Sequence, residues 1–268
     1  MNFLVIDGCP HKGNTWKLVA SALKIIKKNC PDARFEKIEL RKENLPFCLG
    51  CTNCFRVGHE KCPHYAIIGK ILQKIEAADG IIFCSATYNW RETSILKNFF
   101  DHLCFLLHRP YFFTKKALIL TTTGGTGAGK SAKSIRDFLG GIGFNRCHTA
   151  SFPSYSWNAY QPKPAHLRKL KKTTLDFIKD TVSGKLHCPA FKFLIPYNIM
   201  RGMGQHYTAK NEYPTLDGTW WTEDIRRHSV YYPEIKLPFF KKWFGKFFFW
   251  LGNTLGGMEC MKVTYHKM

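Results

Sequence analysis

The chain has 268 residues, 45% of them hydrophobic, which supports a substantial core and excludes a disordered or low-complexity chain. Its formal net charge of +21 comes from 40 Lys and Arg against 19 Asp and Glu. The excess is spread along the chain and not gathered in a tail, so it reads as a solvated basic surface and says nothing about fold.

Met1 to Asp7 lack the basic flank and length of a secretory leader. No apolar run approaches the roughly 20 residues of a membrane span. A cytoplasmic protein is therefore expected. In a reducing compartment, eleven cysteines argue against a disulfide framework and for metal-binding or catalytic use.

In chain order, Phe3-Leu4-Val5-Ile6 reads as a buried parallel strand. Gly8 to Thr15 is a turn, and Trp16, Val19, Ala20, Leu23 and Ile26 recur at helical spacing, with Asn14 or Thr15 as N-cap. A strand, a glycine-bearing turn and a helix N-terminus make an anion-binding geometry, because the first-turn N–H groups have no helical partner. Phe35 to Leu40 is a second strand. A cysteine loop over 45–64 and a helix carrying Ile67, Ile68, Ile71, Leu72 and Ile75 follow. Gly80 to Cys84 is a third strand, with the loop Ser85 to Trp90 at its end. Ser94 to Leu107 reads as one helix.

Ala117 to Leu120 is a fourth strand, Thr121 to Gly129 a loop and Ser131 to Leu139 a helix. Cys147 to Phe152 is a weaker fifth strand, and Ala165 to Val182 a basic helix with Leu167, Leu170, Leu175 and Ile178 inward. Strands alternating with helices imply an α/β fold, a five-stranded parallel sheet covered on both faces. The order suits a flavodoxin-like 2-1-3-4-5 sheet, in which a ligand lies at the carboxyl ends of strands one, three and four. We expect this unit over 1–184. Residues 185–268 are an aromatic-rich C-terminal extension without α/β alternation.

Four cysteines stand as Cys48-x2-Cys51-x2-Cys54-x7-Cys62. Four thiolates at such spacings suit a [4Fe–4S] cluster. Zinc is chemically admissible, although three cysteines in seven residues crowd a mononuclear site. Free redox thiols are the third alternative. Cys9, Cys30, Cys84, Cys104, Cys147, Cys188 and Cys260 are scattered and mostly read as small buried hydrophobes.

The order Gly8-Cys9-Pro10, Gly13-Asn14-Thr15, the cysteine motif, Ala78-Asp79-Gly80-Ile81-Ile82, Tyr88-Asn89-Trp90 and Leu96-Lys97-Asn98-Phe99-Phe100-Asp101 resembles the NAD(P)H-dependent FMN reductase family, and within it the iron–sulfur flavoproteins. The resemblance spans roughly 1–182. It implies FMN as cofactor, NAD(P)H as electron donor and a homo-oligomer. Cys9, His11, Lys12, Gly13, Asn14 and Thr15 would cradle the FMN phosphate. Thr87, Tyr88, Asn89 and Trp90 would lie along the flavin ring. Thr122, Thr123, Gly124 and Gly125 would hold its other side. The motif cysteines would ligate a cluster that passes electrons to FMN, and a small molecule or protein would accept them. Cys9 and Ala86 depart from the Ser and Pro usual at those positions, and no acidic pair follows Cys62.

Two rival functions remain in view. Gly124 to Ser131 matches the phosphate-loop pattern G-x4-G-K-[ST] and would make a nucleotide-binding or NTPase protein using 124–131. It follows the fourth strand, and no Mg²⁺-binding Asp strand succeeds it. A zinc-stabilised binding module without catalysis is the other. Nucleic acid is not expected as a partner: Arg168 to Lys172 is basic but lacks interleaved stacking aromatics. Residues 237–252 combine a broad aromatic face with lysines, a composition suited to an amphipathic helix in peripheral membrane contact. A helix docked on the core or on a second copy is the plainer alternative. A lid built from Trp220, Trp221, Tyr231 and Tyr232 is a further one.

Overall fold

Alternate residues of each apolar run turn to opposite sides of one sheet. The computed structural model describes residues 1–157 and 159–261. Strands β1 (Asn2–Asp7), β2 (Arg34–Glu39), β3 (Gly80–Ala86), β4 (Lys116–Thr123) and β5 (Arg146–Pro153) pair in parallel in the order β2-β1-β3-β4-β5. The flavodoxin-like sheet is thus the observed one. Leu4, Ile6, Ile81, Phe83, Ala117 and Ile119 face one side; Phe3, Val5, Ile82, Cys84, Leu118 and Leu120 face the other. Central parallel strands need apolar residues at every position because both faces are covered. β2 lies at an edge, and its outer residues stay exposed.

Helices α1 (Asn14–Asn29) and α7 (Pro164–Ser183) cover one face. Helices α3 (Tyr65–Ala77), α4 (Ser94–His102) and α6 (Ala128–Gly141) cover the other. The short α2 (Asn53–Arg56) lies inside the cysteine loop. The single helix expected over Ser94 to Leu107 is broken into α4 and α5 (Phe105–His108), because Leu103 caps the first piece by bonding back to Phe100 O at 2.9 Å. In α7, Leu170 and Ile178 are buried, whereas Leu167 is exposed, contrary to expectation. Phe177 takes the inward place instead. The basic run Arg168 to Lys172 is exposed apart from Leu170.

Beyond α7 the regular elements among the described residues are helices: α8 (Phe191–Met203), α9 (Leu216–Thr222), α10 (Asp224–His228) and α11 (Phe239–Gly256). Phe113, Leu194, Tyr197, Trp221, Tyr231 and Ile235 form a third core there. This places the four aromatics read as a lid. Trp221 meets Tyr197 edge-on at 4.9 Å, Tyr231 meets Phe113 at 5.1 Å, and Tyr232 stacks on Phe113 at 4.8 Å. Trp220 packs on Trp221 at 4.5 Å. Their area is committed to that core, so they do not cover the sheet's carboxyl edge.

Candidate functional site

Parallel strands end together, so the loops after β1, β3, β4 and β5 open at one edge. A cavity of about 240 Å³ lies between them. Its walls are Cys9, Pro10, His11, Gly13, Asn14 and Thr15 after β1, with Ala86, Thr87 and Tyr88 after β3. Thr122, Thr123 and Gly124 end β4, and Ser154, Ser156 and Trp157 follow β5. The loop after β5 was not anticipated; only the sheet order brings it here.

The walls are tied by main-chain and hydroxyl bonds. Gly8 N donates to Cys84 O at 3.0 Å, and Thr87 N donates to Thr122 O at 2.8 Å. The Thr93 hydroxyl donates to Gly8 O, and Thr93 N donates to Ser85 Oγ at 3.1 Å. A Cβ on Gly8 would stand 2.6 Å from Leu96 Cβ, so only glycine admits this approach. The hydroxyls of Thr15 and Thr122 are 2.6 Å apart, joining α1 to β4.

Several predicted roles change. Gly13, not Asn14 or Thr15, is the N-cap of α1. The Asn14 amide instead donates to Ser156 O at 2.8 Å and accepts from Tyr160 N at 3.3 Å, stapling the β5 loop. Cys9 N, read as a phosphate donor, bonds inward to Asp7 Oδ1 at 3.0 Å. The Cys9 thiol is hydrogen-bonded to Cys84, and that bond together with burial holds the Cys84 pKa well above the usual thiol range. Lys12 is not on the wall; its ammonium lies 5.5 Å from the Trp16 ring. Asn89 and Trp90 adopt left-handed φ values of 49° and 64° in a reversal closed by Tyr88 and Arg91. That turn carries Trp90 away from the cavity and under Lys130, whose Nζ lies 3.6 Å from the ring centroid. Gly125 is also off the wall.

The remaining groups fit a phosphorylated planar cofactor. The first turn of α1 carries no acidic residue and no side-chain cap, so its N–H groups and dipole face the loop. The Thr87 hydroxyl is buried and has no partner among the described residues, an orphan that a ligand oxygen would satisfy. A half-exposed Tyr88 ring stands at the rim.

A second cavity, about 160 Å³, holds all four motif cysteines. Cys48, Cys51, Cys54 and Cys62 line it with His59, His64, His102 and a fifth thiol, Cys104. Cys104 was read as a scattered core cysteine. Its hydrogen bond with Cys54 raises the Cys54 pKa and lowers its own, so Cys104 is the first of the pair to ionise. Burial raises the Cys62 pKa. Among the described residues, the motif sulfurs do not form a set lying within 4.8 Å of one another.

The loop is braced from two sides. The Asn98 amide on α4 donates to Leu45 O at 3.1 Å and Pro46 O at 3.0 Å. Buried Arg109 donates to Cys54 O at 2.6 Å and pairs with Asp217 at the start of α9. Asp217 also accepts from His108 Nδ1 at 2.8 Å. His102 Nδ1 lies 2.9 Å from Asn98 O and therefore carries the proton, so its Nε2 accepts from His64 Nδ1 at 2.8 Å. Burial lowers the His102 pKa and favours this neutral form.

The fold and the sheet-edge site define a flavodoxin-like protein. The profile of the NADPH-dependent FMN reductase family matches residues 1–159, and the chain belongs to that family. It is an FMN-dependent oxidoreductase. An iron-sulfur flavoprotein of Clostridioides difficile (strain 630) is 26% identical over 207 residues, 76% of this chain and 91% of that protein. An NADPH:quinone oxidoreductase of Arabidopsis thaliana is 30% identical over 147 residues, 54% and 67% of the two chains. The apo form of an NADH:FMN oxidoreductase shares the fold with a TM-score of 0.50, 20% identity and coverage of 69% and 90%. None of these supports the phosphate-loop alternative. Ser131 is fully buried, and the Lys130 ammonium lies over the Trp90 ring.

Proposed function

We propose that this chain passes electrons between NAD(P)H, FMN at the sheet edge and an iron–sulfur cluster held by Cys48, Cys51, Cys54 and Cys62. The observation that carries the reading is one shared wall: four thiols meet around a single cavity at the far end of α4, whose near end is bonded to the Gly8 loop. The printed names of several relatives, iron-sulfur flavoproteins, support it. When bound, FMN would supply the exchange between two-electron and one-electron chemistry. The α1 N-terminus would bind its phosphate, the Thr87 hydroxyl would donate to it, and the Thr15–Thr122 pair would fix the two loops against each other. No side chain needs to move a proton for flavin reduction, so no catalytic residue is assigned. Arg109 would neutralise part of the thiolate charge from beneath the loop.

A homo-oligomer belongs to this reading. Cys48 and Leu49 are exposed at the lip of the thiol cavity, an opening that a second copy would cover in this reading. The acceptor would be a small molecule or a protein.

Absorption spectra, iron, sulfide and zinc assays on protein purified without oxygen test the reading. A flavin double band with a dithionite-bleachable shoulder is expected. Cys51→Ser with Cys62→Ser should remove iron and sulfide while flavin remains. Colourless protein carrying one zinc per chain would sink the reading.

A further inference from the structure

Helix α11 is packed the reverse of an ordinary surface helix. Its glycines face the protein, and several of its aromatics face outward. Gly245, Gly252 and Gly256 are buried, and a Cβ on Gly252 would stand 2.3 Å from Ile199 O of α8. Gly202 of α8 meets α11 as closely, 2.3 Å from Phe249 O. Backbone-to-backbone contact of this kind requires glycine on both helices and fixes which face points in.

The opposite face carries Phe239, Trp243, Phe247 and Trp250, exposed by 83%, 64%, 45% and 60%. At 3.6 residues per turn these four fall within an arc of about 80°. The glycines fall roughly opposite. Lys242 and Lys246, both exposed, border the stripe. No acidic residue occurs in the helix. An aromatic stripe of this size left in water calls for a partner.

Charge selects among partners. Two copies meeting through this face would bring lysines against lysines with no carboxylate between them, and like charges across an interface are unfavourable. An anionic surface meets both demands: aromatic rings enter the headgroup boundary, and ammonium groups meet lipid phosphates. Among the described residues no helix is long and apolar enough to cross a membrane, so the geometry is that of a helix lying in the interface plane. We propose that the Phe239–Trp250 stripe of α11 docks this oxidoreductase on an anionic lipid bilayer.

The test is flotation of the full-length, flavin-loaded protein with two kinds of vesicle: phosphatidylcholine alone, and phosphatidylcholine mixed with phosphatidylglycerol. Protein should float with the mixed vesicles, be left behind by phosphatidylcholine, and be released by salt. Trp243→Ser with Trp250→Ser should cut the bound fraction roughly tenfold or more, since two aromatic side chains leave the boundary. Lys242→Glu with Lys246→Glu should abolish the preference for phosphatidylglycerol. Flavin content and NADPH oxidation in solution should be unchanged in both variants, because α11 touches neither cavity, and this separates lost docking from lost folding. No flotation, or flotation that survives the tryptophan changes, overturns the proposal. Absent flotation together with a self-association that the tryptophan changes abolish would overturn it in favour of a second copy.

Discussion

The two cavities are made in different ways. The sheet-edge cavity is walled by strand ends, a helix N-terminus and main-chain hydrogen bonds. The thiol cavity hangs on a loop that follows an edge strand, and long-range side-chain contacts hold it: Asn98 from α4 and Arg109 with Asp217 from α9. A backbone-built cavity should tolerate side-chain truncation and fail when a Cβ is added. A side-chain-built cavity should do the opposite.

The largest effect is therefore expected at Asp217. Asp217→Ala leaves the Arg109 charge without its carboxylate, 5% exposed and under the cysteine loop. The cost should approach about 3 kcal/mol in denaturant unfolding, and iron should be lost while flavin stays. Flavin lost together with iron would mean the two cavities are one cooperative unit. Next is Gly8→Ala, where the added carbon meets Leu96 and Cys84 O. We expect about 1–3 kcal/mol of destabilisation with flavin released and the cysteine loop retained. Gly124→Ala is its control, since a Cβ there meets nothing within 4 Å, and its melting temperature should not move.

Acid should weaken the opposite end of the sheet, where β5 begins. His148 on β5 and His187 both bond to Asp180 of α7, at 3.0 and 2.6 Å. Burial lowers the His148 pKa below 6.5, so the unfolded chain takes up that proton first as pH falls through 6.5, and stability drops from there down to the folded value. Burial opposes ionisation of Asp180, but the bonds from His187 and His148 prevail and keep its pKa below 3.8. Its contribution is present above about that pH and is lost as pH falls through the folded value. Melting scans from pH 7.5 to 5 should decline, and His148→Phe should flatten the part of the decline near 6.5. The smallest effect is Lys130→Ala. It removes one cation–π contact on Trp90, about 0.5 kcal/mol, and flavin titration should be nearly unchanged. A measured ATPase activity lost with that lysine would instead revive the phosphate-loop reading.

The sheet was legible because each central parallel strand must be apolar at every position, and the first loop because a strand and a helix bracket it. What escaped depends on distant contacts. Cys104 reaches the thiols only because α4 breaks at Leu103. Ser154, Ser156 and Trp157 reach the sheet-edge cavity only because β5 lies beside β4. Trp90 looked like a flavin-facing aromatic, and its position is set by a left-handed turn that no residue-type rule would give to tryptophan. Arg109 and Asp217 are 108 positions apart, and nothing in either neighbourhood announces the pair.

Helix α4 has one more consequence. Thr93, just before it, is fastened to the Gly8 loop, while His102 and Cys104 at its other end line the thiol cavity. Nine helical residues span about 13 Å, and a short helix is stiff along its axis. The gap between the two cavities is thus a built-in length. If electrons cross it as proposed, driving force and the groups along the rod would govern their speed.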